Sequence, residues 1–465
     1  MTTSAERQES SRTFRYTFQA ALVLVCALLT TAIYRFFIHG PFIPLSCSIL
    51  GRQCGLLSKI PFEGYVQEDF AEAATAFRQN FYQGEDVGAS VAAYVDNQLV
   101  LDMHGGWQDI EKKIPYTSNT LQIVYSSTKM LTAIVVAQLV EKGYLSYDEK
   151  ITRYWPEFGQ GNKMNVTLGD LMQHAGGVGF LDSPISLAAT QDPVRFSEIL
   201  ASQPHNFDGN RTRSYHAATR GWYLNEIIRR VTPENYTVNT WAEKYINQVY
   251  KDIEWQLKPY AECYDDRVAP IYRGPRLHRF YRKLLRVLKH GRQELSVMAA
   301  LNDPDSPAHK TMRSVITGMG RTDVTSLAYR RLESPSFSGF TNAKSIAKLA
   351  AMMANQGKAI DPDEPDLLNT TTYAHVTEPV PLDYDILIRK STPALKGGFG
   401  VMDDLTMDNV TFVGWTGMGG SIFFWNPEYK IAFGYCTNSM ASFNPADERS
   451  MSILRAIVKQ VLKSH

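Results

Sequence analysis

Ser126-Ser127-Thr128-Lys129 pairs a nucleophile with a base three residues apart. On a helix that spacing puts both side chains on one face, a turn apart. A serine hydroxyl is a weak nucleophile until a neighbour takes its proton, and a lysine shielded from water can do so. Leu121 to Tyr125 reads as extended, and Met130 to Lys142 reads as an apolar helix ended by Gly143. Ser126 is therefore expected on the first turn of a buried helix, where free N–H groups and the helix dipole favour a developing oxyanion. A serine there is also an ordinary N-cap. Ser345-Ile346-Ala347-Lys348 repeats the spacing inside a helix patterned like a surface element, so its serine and lysine are expected on a solvated face.

Tyr215 stands a few residues before a helix expected near Gly221, on a loop able to enter a cleft. Near a lysine, such a tyrosine can act as a base or relay a proton. Farther on, Trp415-Thr416-Gly417-Met418-Gly419-Gly420 joins two apolar runs. Its glycines let backbone approach a ligand closely, and the strand expected from Ser421 would supply an edge. A backbone N–H there, with that of Ser126, would then form a two-donor oxyanion hole. A glycine-rich hairpin turn is the plainer reading of the same residues.

The elements that must position these residues are legible in outline. Gly64 to Gln83 reads as a helix with Phe70, Ala74, Phe77 and Phe81 on one face. Two apolar runs joined at Asp96-Asn97 read as a hairpin. A mixed, loop-rich stretch from about 150 to 340 follows, then strands at 397–401, 410–415, 421–425 and 431–437, then a helix from about 445 to 463. That order predicts an α+β fold (an α/β sandwich) whose antiparallel sheet is flanked by terminal helices and interrupted by a helical subdomain. Residues 63–465 are expected to fold as one unit.

Ahead of that unit, Tyr16 to Tyr34 contains no charge, and Phe36, Phe37 and Ile38 extend it. We read residues 16–38 as a transmembrane signal anchor, 1–15 as a cytoplasmic tail and 39–62 as a linker. Arg7, Arg12 and Arg15 precede the span while Arg35 and Arg52 follow, which favours an extracellular or luminal catalytic part. N-x-S/T sequons at Asn165, Asn210, Asn235, Asn369 and Asn409 agree, since roughly two or three would arise by chance.

The formal net charge of +1 gives no pull toward nucleic acid. The five cysteines show no metal-ligand spacing, so neither a metal nor an organic cofactor is expected; Cys47 and Cys54 could close a small disulfide loop. Residues 273–292 form a basic amphipathic stretch with Leu277, Phe280, Leu284 and Leu288 on one face. A solvated helix of the inserted subdomain is the plainer reading, and a membrane-surface helix is the other.

Together, Ser126-x-x-Lys129, Tyr215 and Trp415-Thr416-Gly417, in this order, resemble the serine beta-lactamase-like superfamily: class C beta-lactamases, D-alanyl-D-alanine carboxypeptidases and related carboxylesterases. Segments 168–178, 339–358 and 425–440 share the likeness, which runs over nearly all of 63–462. With its N-terminal span, the chain is similar to animal beta-lactamase domain-containing membrane proteins. The resemblance implies Ser126 as nucleophile, Lys129 and Tyr215 as proton carriers, and Trp415, Thr416, Gly417 and Met418 as substrate-binding residues. Two positions depart from it. Ala217 replaces the asparagine of the Y-x-N motif, and Trp415 stands where antibiotic-binding members carry Lys or His. The lost cation argues against beta-lactams and for a small-molecule or lipid-like ester or amide. The alternative is a catalytically silent scaffold keeping the hydrolase fold to bind partners.

Overall fold

The structure, a computed structural model, describes residues 4–38, 40–43, 59–183, 185–259, 266–314, 324, 326–440 and 446–464. The N-terminal apolar stretch forms one helix, α1 (Ser4–Ile38). Its segment Phe14–Tyr34 is long and apolar enough to cross a membrane, with mean hydropathy 1.9 and none of it buried. The helix takes in residues 4–15, read above as a tail, because no Gly or Pro in that stretch stops it.

Beyond it, the sheet dominates. In chain order its strands are β1 (Phe62–Val66), β2 (Gly88–Val95), β3 (Gln98–Asp109), β4 (Ile114–Pro115), β5 (Gly400–Val401), β6 (Val413–Thr416), β7 (Ile422–Asn426) and β8 (Ile431–Thr437). Their spatial order is β1-β3-β2-β8-β7-β6-β5, with β4 paired to β3, and every pairing is antiparallel. Asp96 and Asn97 turn the β2–β3 hairpin with φ of +47° and +65°, the left-handed pair that a two-residue hairpin loop requires.

The expected helix over 64–83 is corrected at its start. Phe62–Val66 pairs with Leu101–Gly105 as a strand, and only Ala71–Tyr82 (α2) is α-helical. Gly64 explains the difference: its φ of +126° suits glycine, and a Cβ there would collide with the Asp102 carbonyl.

Strand alternation divides the core into two layers. Val91, Phe424, Phe433 and Tyr435 point to the face covered by α2 and the last helix, α8 (Glu448–Ser464), which contribute Phe77, Phe81, Ile453 and Ile457. Ala92, Phe423, Trp425 and Ala432 point the other way, into a larger core shared with α3 (Thr128–Glu141), α7 (Ala343–Ala354) and the helical insertion. The terminal helices thus share one face, as expected. Gly434 in β8 lets α7 pack directly on the sheet, since a Cβ there would strike the Ala343 carbonyl oxygen.

Ser345 and Lys348 lie on α7 and are buried, not solvated. The Ser345 hydroxyl accepts from the Glu254 N–H at 2.9 Å and donates to the Asp252 carbonyl at 3.3 Å. Lys348 pairs with buried Glu364 at 2.6 Å. Their polar groups are satisfied by residues far away in sequence, which lets a surface-patterned helix sit in the core.

All five sequon asparagines are exposed. Cys26 is exposed on α1 and Cys436 is buried in β8, whereas the Cys47–Cys54 loop that the spacing allows lies outside the described residues.

Candidate active site

Three separate pieces of chain converge around Ser126. The first is its own approach. Gln122–Ile123 pairs with Phe340–Thr341, and the Val124 N–H donates to the Gly339 carbonyl at 2.9 Å. Tyr125 then turns at φ +44°, a left-handed conformation costly for a bulky residue, which the surrounding structure must hold in place. Tyr125–Ser127 make one 3-10 turn before α3 begins. Ser126 is therefore half-buried on an elbow ahead of the α-helix rather than on its first turn.

Lys129 sits in the first turn of α3, fully buried. Its Nζ donates to the carbonyls of Ala217 and Ser336, each at 2.9 Å. A neutral amine has two N–H bonds and one lone pair, so two carbonyls absorb its donors and leave the lone pair for an incoming proton. Burial, aided by the nearby Arg220 guanidinium, holds the Lys129 pKa well below the ordinary lysine value. Arg220 is itself buried in α4 (Thr219–Val231), donating to the carbonyls of Met172 at 3.0 Å and Lys129 at 3.2 Å. Among the described residues no carboxylate pairs with Arg220, and burial pushes its pKa down to about 10.

The second piece is the loop before α4. Tyr215 donates from its hydroxyl to Ser126 Oγ at 2.9 Å. Its ring centroid lies 4.8 Å from Lys129 Nζ. Burial raises the phenol's pKa, so at neutral pH the hydroxyl keeps its proton. Asp385, fully buried, holds this loop: one carboxylate oxygen accepts from the N–H groups of Tyr215 at 3.2 Å, Leu387 at 2.9 Å and Ile388 at 3.0 Å, while the other lies 3.9 Å from buried Arg213. His174 holds it from the other side. Its Nδ1 accepts from the His216 N–H at 3.1 Å, its carbonyl accepts from the Ser214 N–H at 2.9 Å, and its ring meets Tyr215 edge-on at 4.8 Å. Burial, with Arg220 second, keeps the His174 pKa well below the ordinary value and the ring neutral.

Asp385→Ala leaves Arg213 buried without its carboxylate and frees the Tyr215 backbone. We expect about 3 kcal/mol less stability in denaturant unfolding, with kcat falling more than KM changes. Asparagine, which keeps an acceptor oxygen, recovers part of kcat; equal kcat in wild type and alanine variant would show that Asp385 does not position Tyr215.

The third piece is the β6–β7 connection. The edge expected at Ser421 is corrected: β7 is internal, and β6 offers the opening. β5 pairs with β6 only at Val413 and Gly414, so Trp415 and Thr416 extend past it. Trp415 stacks on Tyr215 with centroids 5.6 Å apart and planes 22° apart. Gly417 lies against Val124, two residues before Ser126, and a Cβ there would collide with the Val124 carbonyl. Ser421 fastens the turn, its hydroxyl donating to that carbonyl at 2.7 Å. Among the described residues the Met418 N–H has no partner.

The structure thus gathers Ser126, Lys129, Tyr215 and Trp415, with Gly417 and Met418 alongside. Sequence reasoning missed Arg220 and Asp385, and marked Ser421 only as the start of a strand. His174 lay within a segment noted for its likeness but was not singled out.

The fold has counterparts among known proteins. Over 169 residues the chain is 31% identical to "Esterase/beta-lactamase LipL" of Mycobacterium tuberculosis, covering 36% of this chain and 39% of that protein. It is 26% identical over 189 residues to "Teichoic acid D-alanine hydrolase" of Staphylococcus aureus, covering 40% and 44%. The chain therefore spans about two-fifths of the curated relatives it matches. Among solved structures, a family VIII carboxylesterase superposes with a TM-score of 0.72 at 25% identity, covering 86% of this chain and all of that one. A penicillin-binding protein homologue from Caulobacter crescentus reaches a TM-score of 0.70 at 24% identity, with 86% of this chain covered, which speaks for the fold. The Beta-lactamase family model matches residues 73–457, most of the folded part, and the chain belongs to that family.

Proposed function

We propose that this protein is a membrane-anchored serine hydrolase that cleaves an ester or amide through an acyl-enzyme on Ser126. The observation that carries the proposal is the 2.9 Å hydrogen bond from Tyr215 to Ser126 Oγ beside a buried lysine of depressed pKa. Ser126 Oγ bonds to the substrate carbonyl carbon as its proton passes to the lysine's lone pair, with Tyr215 as relay. The N–H groups of Ser126 and Met418 hold the oxyanion. Collapse breaks the bond to the leaving group, which takes a proton from Tyr215, replenished from Lys129. Water then attacks the acyl-enzyme by the same route in reverse, returning the proton to Ser126. No step needs a metal or cofactor.

The esterase names among the relatives and the carboxylesterase likeness favour an ester. Trp415 supports the same choice, since an indole stacked on Tyr215 offers an apolar wall and no cation to grip a carboxylate. A charged hydrogen bond to substrate is worth about 1.5–3 kcal/mol, so its loss weakens carboxylate-bearing substrates roughly tenfold to a hundredfold. We expect p-nitrophenyl butyrate to exceed nitrocefin in kcat/KM by at least about that factor. The reverse order would overturn the esterase reading. The anchor is the Phe14–Tyr34 segment, and five exposed sequon asparagines support a catalytic part outside the cytosol.

A further inference from the structure

Helix α5 (Arg276–His290) wears its apolar side outward. Leu277, Phe280, Leu284 and Leu288 recur on one face and are 55%, 66%, 45% and 72% exposed. Its inward-facing groups are polar: His278 is buried, Arg282 pairs with Glu85, and Arg286 pairs with Glu294 at 2.9 Å. An amphipathic helix on a water-soluble body normally does the opposite. A continuous exposed apolar stripe rimmed by polar groups marks an interaction surface.

Charge and chain path together identify the occupant. The helix contains no Asp or Glu, and Arg276, Lys283 and Lys289 are exposed along it. An apolar stripe flanked by cations matches an anionic bilayer, which takes up the stripe among acyl chains and the cations among headgroups. The end of α1 lies close by. Just past Ile38, the Gly40 N–H donates to the Gln83 carbonyl at 2.7 Å and the Phe42 N–H to the Gly84 carbonyl at 3.0 Å. Pro41 abuts Gly274, two residues before α5. Glu85, next in that turn, is the partner of Arg282. The foot of the apolar helix and the body of α5 are thus fastened to one turn, Gln83–Glu85.

We propose that α5 lies in the headgroup layer of the membrane that α1 enters, stripe inward, as a second contact with anionic lipid. This rests on reading α1 as a membrane anchor. The docked helix also connects to the active site: in the next helix, α6 (Arg292–Asn302), the Ser296 hydroxyl accepts from Arg389, at the end of the Asp385–Arg389 turn that holds Tyr215.

The test uses the full chain with a genetically encoded environment-sensitive fluorophore at exposed Leu284, reconstituted into phosphatidylcholine vesicles with and without phosphatidylserine. Sedimentation after a high-salt wash reads the anchor; quenching reads the helix. We expect the vesicle-bound protein to show blue-shifted emission, quenched by doxyl-labelled lipid and shielded from iodide. The shift should be larger with phosphatidylserine and smaller in Lys283→Glu/Lys289→Glu. Protein that sediments yet remains iodide-quenched at position 284 overturns the α5 proposal alone. Protein that does not sediment overturns the anchor, and the proposal with it.

Discussion

Ser126→Ala is expected to turn over an activated ester such as p-nitrophenyl butyrate at least about a thousandfold more slowly than wild type. The hydroxyl oxygen is the atom that would bond to the acyl carbon, and among the described residues no other serine donates to or accepts from a tyrosine beside a buried lysine. Ser127 Oγ lies 3.1 Å from Ser421 Oγ and 3.3 Å from the Ser421 carbonyl, tied into the β6–β7 connection. Ser345, on α7, is enclosed in the core. The substitution removes one half-buried oxygen and creates no cavity in packed core, so thermal unfolding should barely change. A variant folded like wild type and nearly as fast would remove the nucleophile assignment.

Lys129→Met is expected to lower kcat by about 10²- to 10⁴-fold, the usual worth of a positioned proton carrier. Methionine fills the lysine's volume but has no basic nitrogen to take the proton and leaves the Ala217 and Ser336 carbonyls without a donor. The pH profile separates loss of the base from simple damage. Because the Lys129 pKa is depressed, the amine is neutral at pH values where an exposed lysine is charged. Wild-type kcat/KM should therefore rise with pH through the depressed lysine value, then level off. It should fall again only above the ordinary tyrosine range, since the Tyr215 pKa is raised. The residual activity of Lys129→Met should lack the acid limb. An acid limb that survives in the variant assigns that titration to another group.

What the sequence disclosed and what it hid divide along the range of the contacts involved. The β2–β3 hairpin is legible because Asp96-Asn97 between alternating apolar runs is a local code, and both residues take the positive φ that the turn demands. The strands β7 and β8 are legible for the same reason, their side chains alternating between two cores. Ser126 and Lys129 can be read because three-residue spacing in front of an apolar helix fixes their relation. Arg220 cannot: an arginine in the first turn of a helix normally faces water, and only the carbonyls of Met172 and Lys129 explain its burial. Asp385 lies 170 residues from the backbone it holds, in a stretch without periodicity. Ser345 and Lys348 mislead because their partners come from the 251–254 segment and Glu364. The helical pattern that follows β1 obscures its start, although Gly64, with its φ of +126°, marks the break.

The central claim is that Ser126 is an activated nucleophile. It is tested most directly by treating the full chain with a fluorophosphonate and locating the adduct by mass spectrometry of the peptide spanning Leu121 to Lys129. A single phosphonyl group on Ser126 is expected, formed in wild type, slowed in Lys129→Met and absent in Ser126→Ala. A folded wild type that takes up no phosphonyl group and leaves p-nitrophenyl butyrate intact would contradict it, and would point to a hydrolase fold retained as a scaffold.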